Sequence, residues 1–135
     1  PITELTKRMI ADALGDMDPQ RRHGNSRARA TLSEHGFGVL TEIDVTSPLK
    51  QKIGAEIGGY RILGACNPQM AHEALEIEPR AGAMLPCNVI LREVTDGVEV
   101  SAIDPVASMQ AINNQSLKSV ASEVRSKLAT VVEEI

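Results

Sequence analysis

Two cysteines hold most of the reactive chemistry in this chain, and both sit in similar settings: Cys66-Asn67-Pro68 and Pro86-Cys87-Asn88. Asn67-Pro68 reads as a helix start, because Asn can cap the orphan amides and Pro suits the first helical position. Cys66 therefore lies just before a helix N-terminus. The amides and dipole there favour an anion, which is the setting that lowers a thiol's pKa and makes it reactive. The competing reading is a small buried residue at a strand end, a common fate for free cysteine. Cys87 has no helix start near it in sequence and reads as core packing. Together Cys66, Asn67, Pro68, Cys87 and Asn88 form the candidate ligand-binding set, with Cys66 as the candidate catalytic thiol.

Other constellations carry less. Cys66, His72 and Cys87 could supply soft metal ligands, but their spacing fits no zinc template and no CxxC pair is present. No metal or cofactor is therefore expected. A triad of Cys66, His72 and Glu73 fails on geometry, since successive helical positions point about 100° apart. Glu42 and Asp44 share a strand face, where they could hold a cation or simply face water. An N-terminal proline amine can act as a base, but Ile2-Thr3-Glu4-Leu5 reads as a helix start rather than the strand that chemistry uses. His23 and His35 fall in a connector and at a helix end, both expected to be exposed.

The elements that position these residues follow from periodicity. Apolar residues at Ile2, Leu5, Met9, Ile10, Ala13 and Leu14 predict a helix across Pro1–Met17, and Gln20 to Asn25 a polar connector. Ser26 to His35 reads as a second helix, stopped by Gly36 in a left-handed cap. Alternation then predicts strands over Gly38–Val45, Tyr60–Ala65 and Val89–Val94, and a return strand through Val98, Val100 and Ala102. A short helix starts at Ser47-Pro48, another runs from Pro68 to about Glu76, and a third starts at Asp104-Pro105. The last helix, capped by Ser116, carries the stripe Leu117, Val120, Val124, Leu128, Val131 and Ile135. The order predicts an α+β fold, with a mainly antiparallel sheet of about four strands and helices packed on one face. Val39, Ile43, Ile62, Val89, Leu91, Val100, Val124 and Leu128 are the expected core.

Several motifs in one order carry a resemblance: Gly36-Phe37-Gly38-Val39-Leu40-Thr41-Glu42-Ile43-Asp44, Tyr60-Arg61-Ile62-Leu63-Gly64-Ala65-Cys66-Asn67-Pro68, Glu78-Pro79, Leu85-Pro86-Cys87-Asn88-Val89 and Ala102-Ile103-Asp104-Pro105. From about Ser33 onward the chain resembles the domain of unknown function 302 family. The resemblance implies a small cytosolic domain similar in fold to half of the TATA-binding protein, and a homodimer. It implies no chemistry. Such domains begin with a strand, so residues 1–25 read as an atypical N-terminal helix and connector ahead of a family-like core over 33–135.

Composition narrows the function classes. A chain of 135 residues fits a single domain over 1–135 with its own core. Only one Phe and one Tyr are present, with no Trp, and the net charge is -4. Base stacking and phosphate contacts both need what this chain lacks, so no nucleic-acid partner is expected. No apolar run reaches the roughly 18 residues of a membrane span, and no signal peptide precedes Pro1. Two cysteines without secretory context favour reduced thiols in the cytoplasm. Two functions remain: a homodimeric module that binds a small anionic or polar ligand around Cys66-Asn67 and Cys87-Asn88, or a thiol-dependent enzyme using Cys66.

Overall fold

In the computed structural model, which describes residues 5–10, 26–95 and 97–135, the alternating segments pair into one antiparallel sheet. Its strands are β1 (Leu5–Ile10), β2 (Gly38–Asp44), β3 (Tyr60–Cys66), β4 (Cys87–Val94) and β5 (Gly97–Ala102). They lie in the order β1-β5-β4-β3-β2, so β1 and β2 are the edges. The helices are α1 (Ser26–Glu34), α2 (Thr46–Ile53), α3 (Pro68–Ile77), α4 (Pro105–Ser108) and α5 (Gln115–Glu134), with a 3-10 helix over Pro79–Met84. The fold is α+β.

The four strands read from the sequence are all present, and β1 is a fifth. The periodicity predicts a helix across Pro1–Met17, yet Leu5–Ile10 pairs with β5 from Leu5↔Ala102 to Ile10↔Gly97. Leu5 and Met9 satisfy a four-residue spacing and a two-residue spacing equally, so the sequence leaves the choice open. The free edge of β5 decides it, because its backbone groups need partners. The expected replacement of a first strand by a helix is thereby corrected over these residues. The rest of that predicted helix and the connector with His23 lie outside the described residues.

Directly opposed residues in an antiparallel pair share a face. Leu63 and Ala65 on β3, Cys87, Val89 and Leu91 on β4, and Val98, Val100 and Ala102 on β5 are all buried on the side facing the helices. On α5, Leu117, Val120, Ala121, Val124, Leu128, Val131 and Val132 close over them. Ala28 and Leu32 of α1 and Ala74 of α3 complete this core. The cap of α5 is Asn114, whose Oδ1 accepts the Leu117 amide at 3.1 Å, two residues before the expected Ser116.

The expected core is half right on β2, for a specific reason. Val39, Thr41 and Ile43 alternate, but the register slips between Val39 and Thr41, where Leu40 forms a bulge. One extra residue flips the faces. Val39 packs against the core, while Ile43 turns to the open face and is 51% exposed. Ile62, its partner on β3, is also only half-buried.

Candidate functional site

The candidate residues gather at the end of the sheet where β3 leaves and β4 enters. Asn67 caps α3: its Oδ1 accepts the Met70 amide at 3.2 Å, and its carbonyl accepts the Ala71 amide at 2.9 Å. Pro68 has no amide to offer, so of the first turn only Gln69 keeps a free one. That is a thin cradle for an anion. Asn67 also touches the turn before β2, where Gly36 holds φ +84 and a Cβ would sit 3.3 Å from Asn67 Nδ2. Gly64 shows a closer approach. A Cβ there would lie 2.7 Å from Pro86 Cγ and nearer still to Thr41 Oγ1. The Leu85–Pro86 peptide bond is cis. The Gly36, Gly64, Asn67 and Pro86 motifs, scattered in sequence, thus meet in space.

The sheet divides the predicted set in two. Cys87 pairs with Ala65 and faces the helices, whereas Cys66 pairs with Gly38 on the opposite face. Asn88, opposite Gly64, is exposed on the Cys66 side. Asn67 and Cys87 come together on the helix side, where both line a crevice of about 30 Å³ enclosed by α3, α4 and α5. Met70, Leu85, Met109 and Val124 also line it. Met70 falls within the helix that the sequence predicts from Pro68 to about Glu76. Met109 carried no signal and Leu85 only its place in the Leu85-Pro86-Cys87-Asn88-Val89 motif, because only the tertiary packing of α4 and the 3-10 helix brings them here.

Both thiols are free. Burial pushes the Cys66 thiol above its ordinary value. Burial, with a smaller contribution from Cys66, pushes Cys87 up to about 11. Both shifts oppose a thiolate near neutrality. The histidines are elsewhere: His72 is exposed with Nε2 3.1 Å from Glu76 Oε1, and His35 pairs with the Glu134 carboxylate. Among the described residues no three His, Cys, Asp or Glu side chains converge as a metal cluster.

The remaining charges hold the frame. Glu42 lies 3.3 Å from Arg29 and 3.7 Å from Arg61, so Arg61 turns toward β2 rather than toward Cys66. Asp44 Oδ1 accepts the Thr46 amide at 3.0 Å. Glu42 and Asp44 are thereby occupied. At the same end of the sheet, where β5 runs into α4 beside Asn88, Asp104 accepts from the Val106 amide at 2.9 Å and from Arg125 Nε at 2.9 Å, tying β5, α4 and α5 together. Burial pulls the Asp104 carboxyl up, but Arg125 and the Ala107 and Val106 amides outweigh it and hold it below the ordinary value.

A sequence model of the domain of unknown function DUF302 matches residues 25–135. The chain belongs to the DUF302 family. An uncharacterized conserved DUF302 protein from Bacillus stearothermophilus, known from a crystal structure, superposes with a TM-score of 0.82 at 23% identity. The match covers 97% of this chain and 98% of that one, and at this identity it speaks for the fold. None of the curated proteins matches this DUF302 chain. Among its described residues, no helix is long and apolar enough to cross a membrane.

Proposed function

We propose that this DUF302 protein is a homodimeric, cytoplasmic binding module whose ligand occupies the crevice between α3, α4 and α5. The observation that carries the reading is the convergence of Asn67 and Cys87 on one hollow, with elements from three parts of the chain around it. Its small volume and apolar lining favour a compact guest over a bulky one. They also favour it over a free anion, since only one first-turn amide of α3 is unoccupied. Cys66 as a nucleophile finds less support, because burial raises its pKa. For the dimer, the support is the edge strand β2, where Leu40 and Ile43 are 66% and 51% exposed.

Xenon under pressure tests the crevice, because apolar hollows of this kind admit it. The ε-methyl resonances of Met70 and Met109 should shift, and Ala71→Leu, which plugs the opening, should abolish the shift without changing Tm. Methyl resonances that ignore xenon would remove the crevice as a site. Light scattering tests the dimer, and a monomer mass at high concentration would end that part of the reading.

A further inference from the structure

We propose that the crevice binds a soft monovalent metal ion, Cu(I), through the Cys87 thiolate and the Met70 and Met109 thioethers. The proposal rests on the crevice being the ligand site and names the class of its ligand. Three sulfurs from separate elements line one hollow: Cys87 opens β4, Met70 lies in the first turn of α3, and Met109 ends α4. The rest of the lining is aliphatic apart from Asn67, whose Oδ1 is occupied by the Met70 amide.

The donor set selects the metal. Thiolate and thioether donors are soft and suit Cu(I), whereas hard cations need oxygen ligands. Zinc needs further thiolates, imidazoles or carboxylates, and none of these joins Cys87 in the lining. Size agrees, since the hollow measures about 30 Å³. That volume suits an ion, and organic ligands occupy pockets of about 300–1,000 Å³. Enclosure agrees as well. Cys87 is 7% and Met109 5% exposed and Met70 is half-buried, so two of the three sulfurs lie away from the water and oxygen donors that Cu(II) prefers. Methionine has three rotatable bonds, which lets each thioether swing onto the ion without moving the backbone.

The binding step balances without an oxidant. A Cu–S bond forms to Cys87, its S–H bond breaks, the proton leaves to water, and no electron changes hands. Affinity for Cu(I) therefore rises with pH.

The test uses the full chain, reduced, in competition with a chromophoric Cu(I) chelator, and Ag(I) as a redox-inert probe. One ion per chain is expected, with only sulfur in its first shell by X-ray absorption. Met109→Leu and Met70→Leu keep the volume and should each weaken binding by at least about tenfold, no less than the loss of a supporting residue costs. Cys87→Ser should abolish binding and Cys66→Ser should leave it unchanged. The proposal is overturned if the leucine variants bind as the parent does, or if Cys66→Ser is the variant that loses the ion. Should xenon shift both methionine methyls while neither Cu(I) nor Ag(I) binds, the metal falls and the crevice stands. Should xenon leave them untouched, both fall together.

Discussion

The two faces of the sheet differ more than their sequences do. On the helix-covered face, Leu63, Val89, Val98 and Val100 are each 0% exposed. On the other, Ile43 is 51% exposed, and Ile62 and Ile90 are half-buried on neighbouring strands. Arg92 and Glu99, 2.9 Å apart across β4 and β5, share that open face. One cysteine sits on each side. The same β-branched residue types therefore carry stability on one face and availability on the other, and substitutions should separate the two.

The largest difference should come from removing bulk. Leu128, fully buried on the core face of α5, should cost on the order of 2–5 kcal/mol as Leu128→Ala, while Ile43→Ala should stay within about 1 kcal/mol. Denaturant midpoints at constant m-value measure both, and a large loss at Ile43 would mean that a partner covers the open face. Next comes added bulk. Gly64→Ala lies on the open face but would meet Pro86 and Thr41, so it should cost about 1–3 kcal/mol despite removing nothing.

A smaller effect, and a pH-dependent one, should mark Asp104. Its carboxyl is held low in the folded state, so its contribution is complete above the unfolded value of 3.8 and fades as pH falls through the folded value below that. Asp104→Asn should therefore destabilise the protein near neutrality by about 1–2 kcal/mol, discounted because Arg125 is 37% exposed. The gap to the parent should close below pH 3.8. A gap unchanged with pH would leave Arg125 without a role.

The smallest effect compares the thiols directly. With an alkylating reagent, Cys66 should label first and Cys87 only as the chain opens, because Cys87 is buried with its pKa pushed up to about 11. The Cys66 rate should keep climbing with pH beyond neutrality. A rate that levels off near pH 7 would restore the nucleophile reading.

How much of this was legible depends on the range of the interaction involved. Asn67 as the cap of α3, Gly36 in a left-handed turn and the α5 stripe were all readable, because caps, turns and helical stripes are decided within a few residues. The antiparallel sheet followed from strand order and the β4–β5 hairpin. The edge strand β1, the bulge at Leu40 and the partition of Cys66 from Cys87 were not. Each is set by a register against a distant strand, and a slip of one residue there exchanges the two faces. The crevice lies further out of reach. Met70, Cys87 and Met109 stand 17 and 22 residues apart in sequence, and only the packing of α3 and α4 against α5 brings their side chains to one hollow.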